Sequence, residues 1–199
     1  MWDERYSCED YVFGTEPNAF LASCAPLLEG GRSVLCVADG EGRNSVWLAQ
    51  QGLTVTAFDF SGVGIAKARK LAEARGVAVD YRQASIEDWD WEPERFDIVA
   101  AIFIQFAEPP LRSRIFEGMK RTLKPGGLLL MQGYRPEQIE YATGGPRARE
   151  NLYTRALLEE AFAGFEILRL DEHDSEIHEG PGHAGMSALI DLVARKPAA

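Results

Sequence analysis

A mostly parallel, doubly wound α/β fold is predicted by three features of the sequence. Short apolar runs alternate with helical stretches through most of the 199 residues. A glycine-rich turn, Asp39-Gly40-Glu41-Gly42, joins the first run to the helix after it. The last two apolar runs have no helix between them, which predicts an antiparallel hairpin at the carboxyl end. The expected architecture is a seven-stranded sheet with helices on both faces.

The elements follow in order. A helix is expected over 18–28, closed by Gly30 and Gly31. Residues 33–38 (S-V-L-C-V-A) form a continuous apolar run, the pattern of a strand covered on both faces. The glycine turn leads into a helix over 44–51 that ends at Gly52. A second strand covers 54–58 and stops before Asp59; Ser61 caps a helix reaching Arg75. Strands are expected at 77–83 and 96–103, a helix at 111–123, and a strand at 128–132 after the Pro125-Gly126-Gly127 turn. Residues 136–150 carry Gly, Pro and Arg and read as a loop or lid. A helix over 154–162 and strands over 165–170 and 187–194 complete the chain, with a polar, glycine-rich connection over 171–186.

Composition narrows the function classes. The net charge of −10 repels a polyanion, and no Lys/Arg run offsets it, so nucleic acid is not the expected partner. No run approaches the roughly 18 apolar residues of a membrane helix. The start, Met1-Trp2-Asp3-Glu4-Arg5, has neither the basic residues nor the apolar stretch of a signal peptide. Cys8, Cys24 and Cys36 lack C-x-x-C spacing and read as free thiols. The expectation is a cytoplasmic protein, monomer or homodimer, acting on a small molecule.

The chemistry concentrates at Val34 to Asn44 and Asp59. Glycines between a strand and a helix let a ligand approach the backbone. An acid ending the next strand can accept from both ribose hydroxyls. A dinucleotide fingerprint needs a third glycine, where this chain has Ser45, and a pyrophosphate suits neither Asp39 nor Glu41. S-adenosylmethionine has no phosphate and carries a sulfonium and an ammonium, which acids favour. The electrostatics therefore prefer the methyl donor over a nicotinamide cofactor.

With Asp59, the F-D-I-V-A-A strand and Leu123-Lys124-Pro125-Gly126-Gly127, the turn resembles the class I S-adenosylmethionine-dependent methyltransferases, a Rossmann-like group. The segments W-D-E-R-Y (2–6), Y-V-F-G-T-E-P-N (11–18), G-E-G-R-N (40–44), Y-A-T-G-G-P (141–146) and H-E-G-P-G-H-A-G (178–185) are similar to small bacterial methyltransferases of the tellurite-resistance and thiopurine-methyltransferase-like kind. The resemblance implies one methyltransferase domain: a cap segment and helix over 1–30, a cofactor-binding core over 31–132, and a lid, helix and hairpin over 133–199. It implies that Asp39, Gly40 and Gly42 line the methionine moiety, that Asn44 also binds the cofactor, and that Asp59 holds the ribose. Phe58 and Ser61 would flank the adenosine, Ser85 and Ile86 would meet the adenine, and Ile102 would lie near the methyl sulfur. Cys36 and Ala38 depart from the pattern, standing where an acid and the first glycine are usual; Ala38 fits if its φ is negative.

Methyl transfer needs above all the positioning of two reactants. Amines and hydroxyls also need a base, whereas soft or anionic S, Se or Te nucleophiles do not. Gln105 follows the fourth strand, where the resembled group carries His, and a carboxamide takes no proton at neutral pH. The catalytic candidates are Gln105, Tyr11 and His183. Tyr6 and Tyr11 are the aromatics expected over the cofactor, and no metal site is expected from His173, His178 and His183. Arg135, Arg147 and Arg149 either hold an anionic acceptor or are solvated. A cofactor-binding protein without catalysis, and a nicotinamide-dependent oxidoreductase, are the alternative readings.

Overall fold

The computed structural model describes residues 2–30 and 32–198. The strands are β1 (Ser33–Val37), β2 (Thr54–Asp59), β3 (Asp80–Gln83), β4 (Phe96–Ile102), β5 (Leu123–Tyr134), β6 (Glu166–His178) and β7 (Ala184–Arg195). The helices are α1 (Trp2–Tyr6), α2 (Ala19–Ser23), α3 (Arg43–Gln50), α4 (Gly62–Ala74), α5 (Pro109–Thr122), α6 (Gln138–Tyr141) and α7 (Arg155–Ala161). The seven strands form one sheet in the order β3-β2-β1-β4-β5-β7-β6. β1, β2 and β3 pair in parallel, as do β4 and β5. β7 runs antiparallel to both β5 and β6. This is the expected Rossmann-like arrangement with its carboxyl-terminal hairpin.

The chain divides into two compact units, residues 1–90 with 179–182, and 91–178 with 183–199. In the first, β1 and β2 carry the core, with Val34, Leu35 and Ala57 wholly buried. Phe58 stacks flat on Trp89, centroids 4.2 Å apart and planes 6° apart. In the second, Ile98, Val99, Leu129, Leu130, Ile190 and Leu192 form the buried centre of β4, β5 and β7.

Several elements depart from expectation for identifiable reasons. The helix over 18–28 is only α2 followed by a single 3-10 turn, Ala25–Leu27. Pro26 lacks an N–H and disfavours helical backbone at Ala25, so the α-helix cannot pass Cys24. Asn18 does cap α2, its side chain accepting from Leu21 N at 2.9 Å. Gly31, the second of the two expected helix stops, lies outside the described residues. Strand β3 begins at Asp80 because Val77 N turns back to the Ala72 carbonyl at 3.0 Å. The connection over 171–186 is largely strand: β6 and β7 pair as far as His178 and Ala184. Most of β6 beyond Leu170 is half-buried or exposed, so its polar composition does not conflict with pairing. A helix at the start, α1, was not expected.

Ala38 has φ +49°, against the negative value its side chain would prefer. It ends β1 in the left-handed conformation that the usual glycine adopts without cost. For an L-residue the penalty is about 1–2 kcal/mol. Ala38→Gly is expected to raise stability by about 0.5–1 kcal/mol, the relief being partly offset by unfolded-chain entropy. Urea denaturation checks this, and a lower midpoint at unchanged slope would refute the strain.

Candidate functional site

The first unit builds its site on the turn after β1. Gly40 (φ +63°) and Gly42 (φ +90°) both hold left-handed backbone. A Cβ on Gly42 would stand 2.6 Å from the Ala68 Cβ, and one on Gly40 would stand 2.8 Å from Tyr6 Oη. The glycines therefore seat the turn against α4 and admit the α1 tyrosine.

Asp59 ends β2 with its carboxylate facing this turn. Oδ2 accepts from Gly40 N and Oδ1 from Ser61 N, each at 2.8 Å. Burial raises its pKa, and the backbone donors act against that. Phe60 N also acts on this carboxylate, and of its roughly four acceptor sites one is left for a further donor such as a ribose hydroxyl. Ser61 Oγ donates to Asp3 at 2.5 Å and accepts from Gly64 N at 3.0 Å, so it caps α4 and anchors α1. Phe58 belongs to the core, 1% exposed. The ring beside Asp59 that reaches solvent is Phe60, 57% exposed. The sequence reading missed Phe60; its place just past the strand's last residue was the available signal.

Asp39 points its carboxylate beneath the turn. Oδ2 accepts from Ser45 Oγ at 2.5 Å, and Ser45 Oγ also meets Tyr81 Oη at 2.9 Å. Burial pushes the Asp39 pKa up to about 6, with the Ser45 hydrogen bond opposing and Asp59 adding to the rise. Cys36, at the usual acid position, is a buried thiol whose pKa burial also raises. Ser85 Oγ donates to Asp88 at 2.6 Å and accepts from Asp88 N, with Ile86 half-buried in the same turn. Asp88 thus places an acid in the same turn as Ser85 and Ile86.

The amino-terminal segment lies over this turn and is tied down twice. Glu41 Oε1 pairs with Lys67 Nζ at 2.5 Å, and Oε2 accepts from Val12 N at 2.8 Å. Lys67 Nζ also donates to the carbonyls of Tyr6, Cys8 and Asp10. At the other end, Glu179 accepts from Asn18 Nδ2, Ala19 N and Arg43. Gly182 N donates to the Val12 carbonyl at 2.8 Å. Asn44 Oδ1 accepts from Asn18 N at 3.0 Å, so this residue too anchors the segment. Glu41 is therefore neutralised by Lys67, and the acids left to face a cation at the turn are Asp39 and Asp59. Tyr6 is buried, and burial and the nearby carboxylates Asp59 and Glu41 raise its pKa. Tyr11 Oη donates to the Lys67 carbonyl at 3.1 Å, with Lys67 Nζ 5.0 Å above its ring.

The other candidates lie in the second unit. Ile102 is the half-buried last residue of β4. Phe103 follows it at φ +55°, a second strained position at a strand's carboxyl end. Gln105 uses both ends of its amide on one residue: Oε1 accepts from Tyr134 N at 2.5 Å and Nε2 donates to the Tyr134 carbonyl at 2.8 Å. His183 is buried, its ring edge-on to Phe103 at 4.5 Å and to Tyr134 at 5.9 Å. His178 is exposed, and His173 lies on β6 against Ser175 and Asp191. The three histidines thus stand apart, and among the described residues no group of His, Cys, Asp and Glu could hold a metal ion. Arg135 is taken up by Asp174 and the Leu189 carbonyl.

Lys67→Met leaves Glu41 charged and buried, which costs about 3 kcal/mol or more. The amino-terminal segment should then become a protease target, while Glu41→Gln in the same chain should restore much of the loss. Equal protection in wild type and Lys67→Met would refute the clamp.

Residues 34–127 match the methyltransferase domain family. A ubiquinone biosynthesis O-methyltransferase from Actinobacillus pleuropneumoniae is 36% identical over 105 residues, 50% of this chain and 44% of the relative. The chain thus matches about half the length of such relatives. TehB from Haemophilus influenzae superposes with TM-score 0.73 at 20% identity, over 90% of this chain and 62% of that one. The N-methyltransferase NodS from Bradyrhizobium japonicum, in complex with S-adenosylhomocysteine, superposes with TM-score 0.74 at 13% identity, over 98% and 96%. Residues 34–127 thus match a methyltransferase domain, and the sheet order and superpositions show the Rossmann-like fold of methyltransferases such as NodS.

Proposed function

We propose that this chain binds S-adenosylmethionine in its first unit and transfers the methyl group to a small-molecule acceptor. The observation that carries this is the Asp59 carboxylate, held by Gly40 N and Ser61 N with accepting capacity to spare beside a glycine turn. The donor chemistry fits the cofactor: carboxylates for the ribose hydroxyls and the ammonium, and small residues at the close approach. A pyrophosphate fits poorly, since Lys67 is committed to Glu41 and three carbonyls. The cofactor supplies a methyl carbon already activated by a sulfonium. Phe60 is the ring available to the adenine, with Asp88 the acid available to its amino group. Tyr6 covers the turn and excludes water from it.

The acceptor reading rests on the second unit. Gln105 is a positioning residue for Tyr134 and brings no base. A soft S, Se or Te nucleophile needs none, and that is the acceptor class we favour. A hydroxyl acceptor, as the name of the ubiquinone biosynthesis O-methyltransferase relatives suggests, would need a base, for which His183 is the candidate the sequence offers. Screening a thiol, a selenol, tellurite and a catechol for S-adenosylhomocysteine release separates the classes. Turnover on the catechol alone, lost in His183→Asn, would overturn the soft-nucleophile reading. No release with any acceptor, despite cofactor binding, would favour a binding protein without catalysis.

Asp59→Asn is expected to weaken S-adenosylmethionine binding by about 10–100-fold, the range for a lost charged hydrogen bond in a buried site. Unchanged affinity by calorimetry would refute the ribose role. The pH dependence has a definite sign. A bound cation favours ionised Asp39, whose pKa is about 6 without ligand. Affinity should therefore rise from pH 5 to pH 7 and level off above. Affinity that is flat, or greater in acid, would remove Asp39 from the site.

A further inference from the structure

Tyr81 of β3 is 8% exposed, and its hydroxyl ends against Ser45 Oγ of α3 at 2.9 Å. Gly42 makes room for it, since a Cβ there would stand 2.9 Å from Tyr81 Oη. A phenylalanine would fill the same space, so the hydroxyl is explained by its bond and not by packing. Ser45 Oγ has one proton and three oxygen neighbours: Asp39 Oδ2 at 2.5 Å, Tyr81 Oη at 2.9 Å and the Gly42 carbonyl at 3.1 Å. A carboxylate and a carbonyl only accept, whereas a phenol can donate. With Asp39 ionised, the Ser45 proton belongs on Oδ2, because a bare hydroxyl lone pair at 2.5 Å would be repelled by the carboxylate. Tyr81 then donates to Ser45 Oγ.

The chain therefore runs from Tyr81 to Ser45 to Asp39, and each donation in such a chain strengthens the next. Protonating Asp39 reverses its last link and loses that gain, so the chain favours the charged carboxylate. Burial and the Asp39 charge raise the Tyr81 pKa, so the phenol remains a donor at any working pH. Ser45 N donates to Oδ1 at 3.3 Å, which fixes the carboxylate at both oxygens while leaving each able to accept again. We propose that Tyr81 is a positioning residue of the cofactor site: through Ser45 it holds the Asp39 carboxylate ionised and in one orientation for the ammonium of the methyl donor. This rests on the function proposed above. The other groups about Asp39 are Asp59 on β2, Arg43 on α3, Cys36 on β1 and Tyr6 on α1. Glu41 and Lys67 offset each other. Burial raises the pKa of Cys36 and of Tyr6, so both stay neutral, and the guanidinium keeps its charge. Asp59 is the neighbour that can titrate alongside Asp39.

The test follows the Asp39 side-chain carboxyl by NMR in the ligand-free protein, its signal assigned by loss in Asp39→Asn. The titration midpoint, about 6 in the wild type, should rise by about 0.5–1 pH unit in Tyr81→Phe, the size of one net hydrogen bond. Asp59, followed in the same spectra, should move much less. Ser45→Ala should raise the Asp39 midpoint at least as far, and Tyr81→Phe added to Ser45→Ala should raise it no further. Calorimetric affinity of Tyr81→Phe for S-adenosylhomocysteine, which retains the ammonium, should fall about 3–8-fold at about pH 5.5 and stay within about twofold at about pH 8. Equal weakening at both pH values would mark Tyr81 as structural and overturn the inference. So would an unmoved midpoint, or a further shift in the double variant. A wild type that binds at neither pH would overturn the proposed function, and this inference with it.

Discussion

The buried ion pair between Glu41 and Lys67 organises the first unit. One partner lies in the glycine turn and the other on α4, so the pair joins two elements that must be in register for Asp59 to face the turn. Neither charge is left over. Lys67 spends its remaining donors on three carbonyls, and Glu41 spends its second oxygen on Val12 N. The pair thereby recruits a segment with little structure of its own, since α1 has only five residues. A helix that short is unstable alone, and its order comes from tertiary contacts.

This pairing also refines the electrostatics of the turn. Two acids in a glycine turn suggest a cation-binding loop. The structure divides their roles: Glu41 is structural, and Asp39, with Asp59, carries the unbalanced negative charge. Asp39 is buried and stands near Asp59, which is why its proton is held more tightly than usual despite the Ser45 hydrogen bonds and the Arg43 charge. A site of this kind discriminates by charge before shape, admitting a phosphate-free cation and resisting a pyrophosphate.

The fold was legible in the sequence because buried parallel strands read as continuous apolar runs, as in 33–38 and 96–103. The hairpin was legible only at its apolar base. Its outer part has polar side chains on a ribbon partly open to solvent, a pattern that also describes a loop. Asp59 and the glycines were legible because their positions are set by strand ends. The work of Asn44 and Gln105 was not, because each bonds to backbone 26 to 29 residues away in sequence, and Ser61, legible as the cap of α4, also bonds to Asp3, 58 residues away. Phe58 and Phe60 show the limit plainly: two aromatics flank Asp59, and only tertiary packing decides which is core.

The hairpin tip, residues 179–182, belongs to the first unit although 88 residues of the second lie before it in the chain. Glu179 and Gly182 meet residues 12–19 across about four-fifths of the sequence. Such contacts carry a large loop-closure entropy and form late. On the ribosome, residues 2–90 emerge before Glu179, the acceptor of Asn18 Nδ2 and Arg43 Nη2, has been made. The nascent first unit must therefore wait with its cover unlatched. Its completion depends on residues 179–182, so loss of the hairpin tip would be felt first in the segment around Val12 and Asn18.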